Sequence, residues 1–219
     1  MTLEQLLPKA AQVNKFIPKS KFYEKVSVSK QAKEEFADKI QKITWRYKLA
    51  ESTIGIVKTD SVTEIQVFDI ELKEQRIPTK VLKLIDSGIP YQILYRFIYK
   101  TSFSYGITLK ESKKPEAYYF SEWNADIDFD FTGTDLEVVY QKLIKAFISE
   151  PFKTSNEFSE IIRTDKQAKL LQAEIDRLEQ RINKEKQFNR KVELNKVLQL
   201  KKKEYAKLHQ QGTNDGFSH

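Results

Sequence analysis

The sequence predicts an α+β protein: a mostly antiparallel sheet covered by helices, followed by a C-terminal antiparallel coiled-coil helical hairpin. Three observations predict this class. Two short helical patterns have clear start signals, at Ser29 and Pro78. Several segments between residues 64 and 123 alternate apolar and polar side chains with the period of a strand. After Thr164, apolar residues recur every three or four positions, as in a coiled coil. Strands and helices of this kind, in this order, favour an α+β sandwich.

The first helical pattern begins at Ser29, whose hydroxyl suits an N-cap. The apolar residues of this pattern recur at spacings of three and four and are Ala32, Phe36, Ile40, Ile43 and Tyr47. This spacing predicts one helix that ends in ITWRYKL. Trp45 lies off the stripe, where it would close the edge of the core or offer a stacking surface.

The segment EIQVFDIELK, residues 64–73, predicts a strand. Ile65 and Val67 share one phase, while Phe68, Ile70 and Leu72 share the other. Since alternate strand residues face opposite sides, this slip predicts a bulge or a strand covered on both faces.

A short helix is predicted over residues 78–87 in RIPTKVLKLIDSGIPY. Pro78 suits the first turn, Gly88 suits a left-handed terminating conformation, and Pro90 forbids continuation. The next segments, YQILYRFIYK and YGITLK, predict an antiparallel hairpin, and AYYFSEW predicts another strand.

The motif Thr134-Asp135-Leu136-Glu137 predicts a capping box, with the Thr134 side chain as the cap. The helix that follows should bury Leu136, Val139, Tyr140, Leu143, Ile144, Phe147 and Ile148 and should end before Pro151. Upstream, Asp126, Asp128 and Asp130 alternate with apolar residues. These carboxylates suit either a solvated edge or a hard cation.

The C-terminal part predicts a helical hairpin over residues 165–208. Thr164 and Gln167 suggest a second capping box. The first seam comprises Ala168, Leu171, Ile175, Leu178 and Ile182, and the second comprises Leu194, Leu198, Tyr205 and Leu208. The phase breaks between them, which places the tip at Phe188 and Asn189. We expect Phe188 and Asn189 to contact a partner, and a dimer mate would also cover apolar surface there.

Length and composition set the expected domain organisation. The chain has 219 residues, of which 40% are hydrophobic, enough for one core and an appendage. We expect a core domain over residues 1–160, a hairpin over 161–209 and a disordered tail over 210–219. Cysteine is absent, which excludes disulfides and thiolate zinc sites. The amino terminus lacks a signal-peptide pattern and no segment suits a membrane span, so we expect a cytoplasmic protein without a membrane partner.

The net charge of +7 is concentrated at both ends of the chain. Residues 1–50 and 165–219 are basic, whereas the middle is acidic. Basic surfaces attract phosphate backbones, but solvated lysine-rich helices have the same composition. The candidate nucleic-acid contacts are Arg190, Lys191, Lys201, Lys202 and Lys203. Consecutive lysines spread around a helix by about 200°, so we expect weak, sequence-independent DNA binding.

Glu71 and Lys73 have the Glu-x-Lys spacing of Mg²⁺-dependent nucleases of the restriction-endonuclease-like type. Asp60 would supply the upstream carboxylate, and the order of helix, strands, helix and strand is compatible. Glu71 and Lys73 also alternate strictly with Phe68, Ile70 and Leu72, which is equally typical of the solvent-facing side of any half-buried strand. Both interpretations stay open, and Mg²⁺ is expected only under the first; otherwise no cofactor is expected.

Five segments occur in an order that resembles one bacterial family: NKFIPKSKFYE, ITWRYKL, EIQVFDIELK, IDSGIPYQILY and KEKQFNRKVELN. The chain resembles the domain of unknown function 4391 family over nearly its whole length. The resemblance implies a companion of DNA methyltransferases and helicases in restriction and phage-defence gene clusters, and it supplies no catalytic motif. We therefore expect a noncatalytic accessory subunit that docks on a helicase or methyltransferase, with a Mg²⁺-dependent nuclease and a nonspecific DNA-binding module as the alternatives.

Overall fold

The computed structural model describes residues 3–25, 29–111, 114–153 and 155–214 of the chain. The chain forms two compact units, Met1–Phe147 and Ile148–His219, called here the sheet unit and the hairpin unit. The first long helix of the hairpin unit begins at Phe158, shortly before the predicted boundary after residue 160.

The elements follow the order expected for an α+β chain. The helices are α1 (Leu3–Leu6), α2 (Ser20–Lys25), α3 (Lys30–Lys39), α4 (Glu51–Ile54), α5 (Thr79–Gly88), α6 (Leu136–Lys145), α7 (Phe158–Lys184) and α8 (Phe188–Asn214), with short 3-10 turns at Lys9–Ala11 and Glu150–Phe152. The strands are β1 (Gln12–Phe16), β2 (Ile40–Leu49), β3 (Ile65–Leu72), β4 (Gln92–Tyr99), β5 (Ser102–Glu111) and β6 (Lys114–Phe120).

The six strands form one sheet in sequence order. Neighbouring strands are antiparallel except β3 and β4, which run parallel because α5 carries the chain back between them. The predicted α+β class, with its mostly antiparallel sheet and its C-terminal helix pair, is confirmed. The predicted hairpin is the pair β4 and β5, which are joined by a short turn.

The prediction of one helix from Ser29 to Tyr47 is wrong, because α3 ends at Lys39 and β2 begins at the next residue. The register of β2 against β3 shifts twice, between Ile40 and Lys42 and between Trp45 and Tyr47. Each shift adds one residue to β2, so its buried positions are spaced by three and four instead of two. The bulges therefore imitate helical periodicity. The predicted cap at Ser29 is confirmed, since its hydroxyl accepts the backbone N–H of Ala32 at 3.2 Å.

Strand β3 is covered on both faces. Ile65 and Val67, in one phase, and Phe68 and Ile70, in the other, are all almost fully buried. On one face a hydrophobic cluster joins β3 and β4 to α3 and α5, and its members include Phe36, Phe68, Ile70, Leu82, Ile85, Tyr95 and Phe97. The two-sided burial predicted from the phase slip is confirmed.

Helix α5 matches its prediction, but Gly88 does not adopt the expected left-handed conformation. Among the described glycines, only Gly55 has a positive φ. Beyond the end of α5, the carbonyl oxygens of Ile89 and Tyr91 instead accept hydrogen bonds from the Lys110 ammonium group, at 2.9 and 2.6 Å. A lysine from β5 thus holds the connection between α5 and β4.

Helix α6 begins one residue later than predicted. Its N-cap is Asp135, whose carboxylate accepts the Val138 N–H at 2.9 Å, so the assignment of this role to Thr134 is wrong. A carboxylate is the stronger acceptor at a helix N-terminus because its charge also favours the helix dipole. The predicted stripe is buried at Leu136, Val139, Tyr140, Leu143 and Ile144.

The hairpin unit contains α7 and α8, which pack together as predicted. Ile175, Ile182 and Leu198 form its buried cluster, and Leu178, Leu194 and Tyr205 pack against it. The capping box predicted at Thr164 is wrong, because α7 begins at Phe158 and Thr164 lies inside the helix. Helix α8 continues to Asn214, so the first half of the predicted tail is helical, and residues 215–219 lie outside the described residues.

Candidate functional site

Helix α8 presents apolar side chains on two different faces. One face packs against α7 through Leu194, Leu198 and Tyr205. The other is exposed: Phe188 is 78%, Val192 38% and Leu200 61% accessible. At 100° per residue, Val192 and Leu200 each lie roughly 140° from the middle of the seam. A helix in a simple two-helix hairpin needs only one apolar face, so this second face requires an explanation.

The second face is a groove on the surface of α8, called here the outer groove. It is a shallow and largely open depression between the side chains of one helix face, lined by Val192, Asn195, Lys196, Gln199, Leu200 and Lys203. Two lysines, Lys196 and Lys203, lie among its apolar residues: Lys196 is four residues, about one helical turn, from both Val192 and Leu200. None of its lining residues is acidic. This composition suits a partner surface that combines apolar side chains with carboxylates.

The predicted tip residues lie where expected. Helix α7 ends at Lys184 and α8 begins at Phe188, whose ring is among the most exposed apolar groups described. Between them the Glu185 carboxylate accepts the N–H groups of Gln187 and Lys186, at 2.9 and 2.8 Å. These bonds, led by that of Gln187, hold the pKa of Glu185 below its usual range. Glu185 thus fixes the reversal that places Phe188 and Asn189 at the tip.

The five predicted nucleic-acid residues do not form one continuous track. Lys201 pairs with Glu174 at 3.1 Å, and Lys202 pairs with Glu179 at 2.7 Å, so both lysines link α8 to α7. The bonds to Glu174 and Glu204 raise the pKa of Lys201. Lys203 lines the outer groove, while Arg190 and Lys191 lie near the tip, in the first turn of α8.

The carboxylates of β3 are paired with basic side chains from neighbouring strands. Arg96 of β4 makes two hydrogen bonds to Asp69, at 3.0 and 2.6 Å, and Arg46 of β2 lies 3.8 Å from the same carboxylate. Glu71 lies 3.4 Å from the Lys42 ammonium group. These contacts neutralise the β3 carboxylates on this side of the sheet, as in a structural ladder of ion pairs.

The three candidate nuclease residues are not brought together. Asp60 lies in the loop before β3, and Glu71 is the seventh residue of that strand. The six residue steps from Ile65 to Glu71 span about 20 Å at 3.3 Å per residue. Lys73 lies beyond the strand, and its positive charge contributes, after burial, to lowering the pKa of Lys19. Within the described ranges, no group of three His, Cys, Asp or Glu residues could hold a metal ion.

A family model described as a domain of unknown function, DUF4391, matches residues 6–205. The chain belongs to this family. No curated protein and no solved structure matches it. Membership in DUF4391 confirms the resemblance that the five ordered segments carry, and it assigns no reaction and no partner.

This DUF4391 chain contains a buried polar network that the sequence analysis did not predict. The side chains of Asp86 and Lys110 are fully buried, and their charged atoms lie 3.0 Å apart. The other Asp86 oxygen accepts hydrogen bonds from Thr108 at 3.0 Å and from Tyr118 at 2.7 Å. Burial lowers the pKa of Lys110 against the opposing effect of Asp86, and burial with Asp86 raises the pKa of Tyr118.

One of the three aspartates considered for a hard cation, Asp130, makes structural contacts instead. Asp130 accepts hydrogen bonds from the Thr132 N–H at 2.8 Å and from the Lys142 ammonium group at 2.7 Å. These bonds, Lys142 first, lower the pKa of Asp130 to about 2. Asp130 therefore tethers the segment that leads into α6.

None of the helices in the described part of the chain is both long enough and apolar enough to cross a membrane.

Proposed function

We propose that this DUF4391 chain is a noncatalytic accessory subunit of a bacterial restriction-modification or phage-defence system, and that the outer groove of α8 binds a larger helicase or DNA methyltransferase. The observation that carries the proposal is the exposed apolar face of α8. It lies opposite the seam, which α7 already covers. The partner class comes from the gene neighbourhoods that the family resemblance implies. The lack of cysteine fits a reducing cytoplasm, where such enzymes act.

The outer groove favours protein over DNA as its ligand. Leu200 and Val192 gain free energy only when an apolar surface covers them, at about 25 cal/mol per Å² of buried area. A phosphate backbone offers no such surface. Lys196 and Lys203, which lie on the same face, would then pair with acidic residues of the partner and orient it.

The test compares two variants of the complete chain that carry the same type of substitution. Leu200→Glu removes the apolar floor of the outer groove, whereas Leu170→Glu changes an equally exposed leucine on α7, 68% accessible against 61%. We expect Leu200→Glu to weaken binding to the co-encoded helicase or methyltransferase at least about tenfold, a loss of roughly 1.4 kcal/mol. Leu170→Glu should leave that affinity unchanged.

Both variants should keep the wild-type thermal unfolding curve, because each changed side chain lies on the surface. The proposal fails if neither co-encoded enzyme binds the wild-type chain, or if Leu170→Glu and Leu200→Glu reduce the affinity equally. Equal losses would place the contact outside the outer groove.

The nuclease alternative retains one specific observation. Elements α3, β2, β3, α5 and β4 follow the order of helix, strands, helix and strand that such nucleases use, with β3 parallel to β4. Under this alternative Glu71 would hold Mg²⁺ and Lys73 would position water. Mg²⁺-dependent cleavage of single- or double-stranded DNA that disappears in both Glu71→Ala and Lys73→Ala would establish it. We expect no such cleavage, because Glu71 pairs with Lys42 and Asp60 lies at the other end of β3.

A further inference from the structure

The sheet unit contains a pocket of about 280 Å³ between the end of β1 and the connection from α5 to β4. Its walls are mainly apolar, and five aromatic residues contribute to them: Phe16, Phe22, Trp45, Phe68 and Tyr91. Phe22 and Phe68 belong to the buried core, but Phe16 is 56% exposed. An aromatic ring left open to solvent beside buried rings is a surface on which a flat ligand can stack.

Two walls of this pocket are fixed by hydrogen bonds. The Trp45 ring N–H donates to the Tyr47 carbonyl oxygen at 2.9 Å, which sets the orientation of the indole. The opposite wall, from Gly88 to Tyr91, is held by Lys110, which donates to the carbonyl oxygens of Ile89 and Tyr91. Lys110 is in turn paired with buried Asp86. The buried network therefore keeps the pocket in one shape, which lowers the entropic cost of binding.

The polar members of the lining point to an anionic ligand. Lys15 and Lys21 are its charged residues, and none of the residues that line it is acidic. Lys15 is the cross-strand partner of Trp45, so an ammonium group and an indole ring come from adjacent positions. Gln66 adds an amide whose nitrogen already donates to Glu64 at 2.7 Å, which leaves its oxygen as an acceptor for a ring amino group.

We propose that this pocket binds one nucleobase of a phosphate-bearing ligand, with the base against Trp45 and Phe16 and the phosphate at Lys15 and Lys21. The volume suits a single ring system, since it lies just below the range of about 300–1,000 Å³ that is usual for ligand pockets. Stacking of a base on an aromatic side chain stabilises the complex without selecting a sequence. A free nucleotide and a base of single-stranded nucleic acid share this chemistry. The pocket is separate from the outer groove, so a negative result for one proposal does not affect the other.

Tryptophan fluorescence tests the proposal directly, because the chain has two tryptophans and Trp123→Phe leaves Trp45 as the reporter. The probes are adenosine 5′-monophosphate, a short single-stranded oligothymidylate, adenosine and inorganic phosphate. We expect saturable quenching by the monophosphate, the oligothymidylate or both, with adenosine weaker and inorganic phosphate without effect. Binding by the oligothymidylate alone identifies a single strand as the source, and binding by the monophosphate alone identifies a free nucleotide.

Substitutions then separate this site from nonspecific attraction. Lys15→Ala combined with Lys21→Ala should weaken binding at least about tenfold, since the variant loses both positive charges that the phosphate would contact. Phe16→Ala should weaken it as well. The matched control is Lys58→Ala with Lys83→Ala, which removes two exposed lysines of the same unit that do not line the pocket. The proposal is overturned if none of the probes quenches Trp45, if both lysine pairs have equal effects, or if an uncharged apolar ring such as toluene binds as tightly as the nucleotide.

Discussion

The best-buried ion pair of the sheet unit and the ion pairs that join the two helices of the hairpin unit differ sharply in exposure. In the sheet unit, a complete ion pair, Asp86 and Lys110, is buried and surrounded by hydroxyl groups. In the hairpin unit, the ion pairs of Lys201 and Lys202 lie on the surface, and apolar residues such as Leu200 are exposed beside them. The comparison indicates that the sheet unit encloses a fully buried charged network, whereas the hairpin unit leaves the ion pairs between its helices, and several apolar side chains, exposed.

The largest expected effect comes from breaking the buried pair. Lys110→Met should lower the free energy of unfolding by about 3–5 kcal/mol, because it leaves the Asp86 carboxylate buried without its counter-charge. Urea denaturation measures this change. Replacing both residues, Asp86→Leu with Lys110→Met, should restore much of the loss, since no buried charge then remains. A small loss in the single variant would mean that water reaches Asp86.

Substitutions of two leucines of α8 compare how much the seam and the outer groove contribute to the free energy of unfolding. Leu198 is 6% exposed and Leu200 is 61% exposed. Leu198→Ala should lower the free energy of unfolding of the hairpin by about 2–3 kcal/mol, because it leaves a cavity against α7. Leu200→Ala should change it by less than about 0.5 kcal/mol. Circular dichroism during denaturation reports both values, and equal losses would contradict the assignment of Leu200 to a free surface.

The ion pairs on the hairpin should contribute little to stability. Lys202→Ala removes the pair with Glu179, whose partners are both about half exposed. We expect a loss of at most about 1 kcal/mol, which declines further with added salt because exposed charges are screened. Denaturation at low and high ionic strength measures it. A loss as large as that of Lys110→Met would remove the distinction between the two units.

The smallest expected effect concerns pH. The Asp130 carboxyl has a pKa of about 2 in the folded chain, below the ordinary 3.8. Its contribution to stability is therefore present above pH 3.8 and is lost as the pH falls toward about 2. A carbon-detected NMR titration should find this low value, and Lys142→Met should move the pKa toward 3.8. An ordinary pKa in the unmodified chain would contradict the tether between Asp130 and α6.

The sequence predicts those parts of the fold whose signals are local. Pro78 and the apolar stripe after it are sufficient to predict α5, and the phase break before Phe188 is sufficient to predict the reversal between α7 and α8. Strand β2 was mistaken for helix because its two bulges shift the buried positions to Ile40, Ile43 and Tyr47. The spacing alone does not distinguish such a strand from a helical stripe, and the local signal that favoured a strand was the run of β-branched and aromatic residues in ITWRYKL.

The functional surfaces are predictable only in part, for the same reason. Phe188 was identified because it interrupts the heptads, and the spacing of Val192 and Leu200 on the same side of α8 carried a signal that the seam concealed. Asp86 and Lys110 lie far apart in sequence, on α5 and β5, and only the folded sheet brings them together. The aromatic pocket likewise joins residues of β1, β2, β3 and the connection before β4.

The affinity of the complete chain for two ligands, each at low and high ionic strength, tests the central claim most directly. The ligands are a DNA duplex and the co-encoded helicase or methyltransferase. We predict that duplex binding is weak, independent of sequence and strongly reduced by salt, because few phosphates are neutralised. Binding to the enzyme should persist at moderate salt, because it rests on apolar contacts of the outer groove. Tight duplex binding that survives high salt and prefers one sequence would contradict the account and identify a DNA-recognition module instead.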